Sequence, residues 1–425
     1  MPSYLNALGL ICALGQGKQA VADALFAGDA GGMRGEDGWV GERRLTVGAV
    51  RGALPAMPAG LEASHSRNNQ LLLAAALEIE AQIGAAIAQY GPGRIGVVIG
   101  TSTSGIHEAS QGIAQYLSSG ALPDDYAYAQ QEMAAPASFL ADWLGLAGPA
   151  YCLSTACTSS ARALLSAHRL LQQGVCDAVL CGGVDSLCGL TLNGFSALEA
   201  VAAERCNPFS ANRRGINIGE GAALFLMTRE AAPRDAGHRS ALSRSAGPRG
   251  AVSRNAVPRG AVSIALLGGG ASSDAYHISA PQPEGLGAQA AMGKALAAAG
   301  IDAADIDYLN LHGTATAHND AMESLAVAAL FPQGVPCSSS KPLSGHCLGA
   351  AGALEAAFCW LTLSEHNRDG LLPPHLWDGQ ADPALPRLQL TPQGARLTDK
   401  PRRRLMSNSF AFGGNNLSLI LGDAP

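Results

Sequence analysis

Lysine is scarce in this chain: only Lys18, Lys294, Lys341 and Lys400 occur among 28 basic residues. The abundant arginines fit a GC-rich genome, so a lysine inside a reactive segment stands out from background. Charged residues of both signs make up 15%, and the formal net charge is −6. A field of that sign does not favour nucleic acid. The ten cysteines include no CxxC pair and no zinc-like spacing with histidine, so no metal is expected. They read as reduced, mostly buried thiols of a cytoplasmic protein. No apolar run approaches the length of a transmembrane span. The apolar start, residues 4–14, lacks a preceding basic segment, because the first positive side chain is Lys18. It is expected to be a first core strand rather than a signal sequence.

What is present suits a compact enzyme. The chain has 425 residues and is 48% hydrophobic, more than one core usually supports. Two core-forming halves are expected, 1–263 and 264–425. Residues 94–100 form an apolar run ending in glycine before the small polar loop 101–105, the pattern of a buried parallel strand with a functional loop. Helical spacing follows from Cys157 to Gln173 with Gly174 beyond it, then a second buried strand over 178–183. Strands are further expected at 264–270 and 306–311, and helices at 286–300, from about 321, and at about 350–363. Residues 405–421 suggest a hairpin turning at Phe412-Gly413-Gly414. Alternating strands and helices predict an α/β layered fold. Within a low-complexity insertion at about 240–263, Pro248-Arg249-Gly250-Ala251-Val252-Ser253 recurs ten residues later from Pro258. Two copies are too few for a solenoid, and a surface insertion is the better reading.

Three segments carry chemistry. Ser154-Thr155-Ala156-Cys157-Thr158-Ser159-Ser160 places a thiol where a loop becomes a helix. There the backbone dipole and free N–H groups would favour thiolate, and the cysteine's own N–H could serve an oxyanion. His312 follows an apolar strand and opens His-Gly-Thr-Ala-Thr, with Asp320 and Glu323 behind it. Ser340-Lys341-Pro342-Leu343-Ser344-Gly345-His346 supplies a second histidine and the lysine. A lone histidine is structural as often as functional, and a lone cysteine is usually buried packing. A nucleophile with two imidazoles, however, suits acyl transfer with decarboxylation. Charge then builds on a thioester enolate, and two imidazole N–H donors are worth about 3 kcal/mol each. Lys341 is expected to orient the network, with Glu323 a candidate partner. No metal or organic cofactor is required.

These segments resemble the β-ketoacyl-(acyl carrier protein) synthases of the elongating Cys-His-His type. Further matches are Asn207-Pro208-Phe209, Gly219-Glu220-Gly221, Lys-Pro-Leu-Ser-Gly-His-Cys-Leu-Gly-Ala-Ala-Gly from Lys341, and the terminal Phe-Gly-Gly-Asn turn. The resemblance implies a thiolase-like fold of two similar α/β halves in five layers, α-β-α-β-α. It implies Cys157 as acyl acceptor, His312 and His346 as the enolate-stabilising pair, and Lys341 as supporting cation with Glu323 and Asp320. Phe412 matches a gating phenylalanine whose N–H would complete the oxyanion hole, and Thr103 falls near the position that sets acyl-pocket depth. The implied partners are acyl- and malonyl-loaded acyl carrier protein and an identical or related synthase subunit in a dimer. Within that picture the strand 178–183 is the expected covered edge, and Arg213, Arg214, Arg249 and Arg259 are candidate carrier contacts. Two departures matter. Ala411 stands where a glycine usually precedes the gate, and Phe209-Ser210-Ala211-Asn212-Arg213-Arg214-Gly215 lacks the common acidic residues, which questions an ion pair there. The second points toward a specialised polyene or polyketide pathway. A chain-length-factor-like partner without activity would normally lack the cysteine. A thiolase would carry a second cysteine near Phe412-Gly413-Gly414.

Overall fold

The computed structural model describes residues 2–231 and 263–424. In the first part, the main sheet is built on β1 (Ser3–Cys12), β2 (Ile95–Gly100), β3 (Ala150–Leu153), β4 (Ala178–Asp185) and β5 (Gly221–Thr228), with short Gly15–Gln16 beside β1 and a separate hairpin of Met33–Val40 and Arg43–Gly48. In the second it is built on β6 (Ile264–Ser273), β7 (Tyr308–Asn310), β8 (Pro336–Ser338), β9 (Arg404–Ala411) and β10 (Asn415–Asp423). In space they run β3-β2-β4-β5-β1 and β8-β7-β9-β10-β6, with Gln389–Leu390 flanking β8. Both series begin with two parallel pairings and finish with two antiparallel ones. Among the described residues they join where Ser3 and Tyr4 of β1 pair with Leu266 and Ala265 of β6.

Side-chain alternation sets the layers. Along β2, Val97 and Ile99 pack with α1 (Arg67–Glu78) and α2 (Ala135–Leu144), while Val98 packs toward α3 (Ser159–Gln172). On the far side, α4 (Leu286–Ala299) and α5 (Ala317–Leu330) cover the second sheet through Met292, Ala295, Met322 and Val327. Between the sheets lies α3 with α6 (Ala351–Leu363), which is buried along its whole length. Apolar composition all round is what a protein-enclosed helix needs. The order is therefore helix, sheet, helix, sheet, helix. Gly352 permits the central contact, since a Cβ there would lie 2.7 Å from Ala161 Cβ.

One expectation fails. The run 178–183 is no edge, because β4 pairs with β2 on one side and β5 on the other. The open edge of the first sheet is β3. An apolar strand reads alike in the middle or at the margin, and only long-range pairing separates the two. The repeated Pro-Arg-Gly-Ala-Val segments, with Arg249 and Arg259, lie outside the described residues. Among the described residues no single helix is long and apolar enough to cross a membrane.

Candidate active site

Cys157 sits on a tight bend between β3 and α3. Ala156 before it has a φ of 53°, a left-handed conformation unusual for a residue with a side chain. Ser159 pins the bend by accepting the Thr155 N–H at 2.9 Å and donating to the Ala156 carbonyl at 2.6 Å. Glycines let the strand ends slide beneath it. A Cβ on Gly100 would lie 2.2 Å from the Ser160 nitrogen, and one on Gly183 2.3 Å from Ser160 Cβ.

His312 leaves the end of β7 on a loop anchored by a buried carboxylate. Glu323 accepts the N–H groups of His312 at 2.8 Å and Gly313 at 2.7 Å. Asp320 accepts those of Phe209 at 2.7 Å and Ala315 at 3.2 Å. Glu323 is thus committed to backbone, and the expected pairing with Lys341 is replaced by another. Lys341, 1% exposed, forms its ion pair with Glu355 of α6 and donates to the His312 carbonyl. Its Nζ lies 3.5 Å from His312 Nδ1.

His346 follows Gly345, whose φ is 73°, and its N–H donates to the Asn217 carbonyl at 2.7 Å. Its Nε2 stands 3.0 Å from Cys157 Sγ. The two imidazoles meet edge to face with centroids 5.3 Å apart. Three reactive side chains far apart in sequence therefore share one point. Burial pushes both imidazoles well below their ordinary pKa, helped by the Lys341 ammonium, so they are neutral. Burial also raises Cys157 to about 12, against the opposing Lys341 charge and the cysteine's own N–H. Cys157 lies two residues before α3, which begins at Ser159, and burial favours its thiol form over the thiolate expected from the helix start. The resting group is a thiol touching a neutral base.

A cavity of about 350 Å³ opens onto this cluster. Phe195, Leu198, Ile216, Phe410 and Phe412 form its apolar walls, and Thr314, Thr316, His318 and Asn319 its polar side. The ring of Phe412 lies 5.4 Å from that of Phe195. Behind it, Gly413 has a φ of 80° and donates its N–H to the Ile278 carbonyl at 2.8 Å. The ligand-capable atoms of Cys157, His312 and His346 lie within 4.8 Å of one another. A metal cation there would meet the buried Lys341 ammonium, so the charge arrangement disfavours one.

Other expected residues fall elsewhere. Thr103 is buried away from the cavity lining, its N–H and hydroxyl both donating to Asp185 Oδ1 at 2.9 Å. Arg213, expected on a docking surface, pairs with Asp382 at 2.6 Å and is only 10% exposed. Its segment thus does hold an ion pair, with the acid supplied from sequence far downstream. Arg214 is exposed. Glu220 of the Gly-Glu-Gly motif is buried against Arg67 at 2.5 Å. Two residues escaped the sequence reading. Glu355 gave one signal, a lone charge in an apolar helix. Asp185 ends β4 and holds the 101–103 loop and the Gly349 N–H.

Comparisons with known proteins bear on the family of the chain. The family model described as Beta-ketoacyl synthase, N-terminal domain, matches residues 58–232, and its C-terminal counterpart matches residues 264–376. Nodulation protein E of Rhizobium meliloti is 33% identical over 362 residues, spanning 84% of this chain and 82% of that one. A 3-oxoacyl-[acyl-carrier-protein] synthase 2 of Rhizobium meliloti (strain 1021) is 36% identical over 288 residues, spanning 65% and 61%. Among solved structures, a chain from the ketosynthase ApeO in complex with its chain length factor ApeC, from Xenorhabdus doucetiae, matches with a TM-score of 0.88. It is 44% identical, covering 100% of this chain and 98% of that one.

Proposed function

The chain belongs to the β-ketoacyl synthase family and is an acyltransferase, and from that premise we propose that Cys157, His312, His346 and Lys341 perform its decarboxylative condensation. The observation that carries the assignment is the 3.0 Å contact between His346 Nε2 and Cys157 Sγ beside the second imidazole. In the first half-reaction, the sulfur attacks the acyl thioester of a loaded carrier protein. The thiol proton passes through His346 Nε2 to the departing carrier thiolate. The N–H groups of Cys157 and Phe412 hold the transient oxyanion.

Malonyl-carrier then enters. Carbon dioxide leaves, and the electrons of its broken bond move onto the thioester oxygen as an enolate. Lys341 has only donors to offer, so at 3.5 Å it keeps His312 Nδ1 an acceptor and the ring proton on Nε2, facing the cavity. A neutral imidazole suits this task, because an imidazolium would protonate the enolate carbon. The enolate attacks the acyl carbonyl on Cys157, forming the carbon–carbon bond and expelling the sulfur as thiolate, which takes up one proton from solvent to return to the thiol.

The two-half division, 1–263 and 264–425, draws support from the repeated strand order. A specialised polyene or polyketide pathway with a related, chain-length-setting subunit draws support from the ApeO–ApeC complex and from the ishigamide ketosynthase/chain length factor, 26% identical with a TM-score of 0.81. The open β3 edge offers such a subunit a strand to extend. Ten unpaired cysteines accord with a cytoplasmic setting. The test is intact-mass analysis after incubation with acyl-loaded carrier: one acyl adduct on the wild type and none on Cys157→Ala. Ketoacyl product made by Cys157→Ala would refute the assignment.

A further inference from the structure

Among the described residues, no lysine, arginine, aspartate or glutamate lines the active-site cavity. Besides the buried cluster, the ionisable side chains that line it among the described residues are His277 and His318, and both are exposed. They come from different elements, the loop after β6 and the first turn of α5.

His277 has a fixed orientation. Its Nδ1 accepts the backbone N–H groups of Ser279 and Ala280, each at 3.2 Å. An accepting Nδ1 leaves the ring proton on Nε2, directed away from its own loop. The loop itself is tied down where Asp274 accepts the Asn416 side-chain amide at 2.6 Å and the Gln282 N–H at 3.0 Å. His318 stands beside Thr316, the N-cap of α5, which makes no side-chain capping bond. The cavity therefore carries two exposed imidazole N–H donors and, among the described residues, no lysine or arginine.

Resting on the synthase reading above, we propose that His277 and His318 form the subsite for the phosphate of the phosphopantetheine arm that delivers substrate. That arm is uncharged along its amides and negative only at the phosphate, which stays at the outer end when the thioester reaches Cys157. Donors confined to exposed residues match this distribution, as the apolar walls match the acyl chain. The two imidazoles are positioning residues, acting on binding rather than on bond making.

The experiment compares thioesters of carrier protein, free phosphopantetheine and pantetheine with wild type, His318→Ala and His277→Asn. Asparagine retains an acceptor for the loop N–H groups, and alanine suits the helix, so both variants keep the fold. The expected result is a KM raised about three- to tenfold for the two phosphate-bearing substrates, with kcat and the pantetheine KM unchanged. An equal rise with pantetheine, or no rise with any substrate, overturns the proposal. Acylation of wild-type Cys157 by the pantetheine thioester reports separately on the synthase reading, since it needs no phosphate.

Discussion

Two loops occupy equivalent places in the repeated sheets, and they have been put to different uses. Residues 101–105 follow β2, and residues 311–316 follow β7. Each is tied down by a buried carboxylate that accepts consecutive backbone N–H groups. Asp185 takes those of Ser102 and Thr103, and Glu323 takes those of His312 and Gly313. The first loop presents only hydroxyls, whereas the second presents an imidazole backed by an ammonium. The central helices diverge likewise, with a thiol before α3 and Glu355 buried inside α6. The duplicated scaffold supplies rigid loop ends twice. Among the described residues, the second half adds a buried ammonium, Lys341, to its anchored loop.

Removing the thiol tests that asymmetry most severely. Cys157→Ala should abolish acyl transfer and condensation, yet leave the second half's decarboxylation of malonyl-carrier measurable as carbon dioxide release. Loss of both activities together would show that the halves do not divide the chemistry. Next in size is the Lys341–Glu355 pair. Glu355→Ala strands a buried ammonium and should cost about 3–5 kcal/mol in chemical denaturation. Replacing both with methionine should recover much of that stability while condensation stays lost. A double variant as unstable as the single one would count against a pairing effect.

The sequence made half of this contrast visible. Cys157, His312 and His346 were legible because their segments join apolar runs to small residues, a local signal. Strand and helix extents such as Ile95–Gly100 and Ala351–Leu363 followed from periodicity for the same reason. The partner of Lys341 was not legible, since Glu355 is fourteen residues away and reaches it only through the path of α6 between two sheets. Nor was the interior place of β4, which depends on strands distant in sequence. Nor was the burial that raises the Cys157 pKa, since the strands and helices that enclose the thiol come from distant sequence.

The two anchoring carboxylates also invite a titration. Burial raises Glu323 to about 7 from an ordinary 4.5, and Asp320 to about 6 from 3.8. A carboxyl with a raised native pKa binds its proton more tightly when folded. Its contribution is full below the unfolded value and is lost as pH climbs through the folded one. Stability should therefore fall between about pH 4.5 and 7, with Glu323 contributing about 3 kcal/mol of the decline. Glu323→Gln should flatten that part of a urea-midpoint profile. An unchanged slope would locate the titration elsewhere.

The smallest effect concerns the gate beside Phe412. Ala411 has φ −122° and ψ 155°, an extended conformation any residue adopts, whereas Gly413 at φ 80° needs its freedom. In this conformation the alanine therefore costs nothing, and it narrows the states open to the unfolded chain. Ala411→Gly should lower stability by about 0.4–1 kcal/mol through that entropy alone. If the turn must leave the extended region to admit substrate, the same change should speed acylation of Cys157 in stopped flow. A stability loss with unaltered acylation would mean that the gate opens around Gly413, with residue 411 fixed throughout.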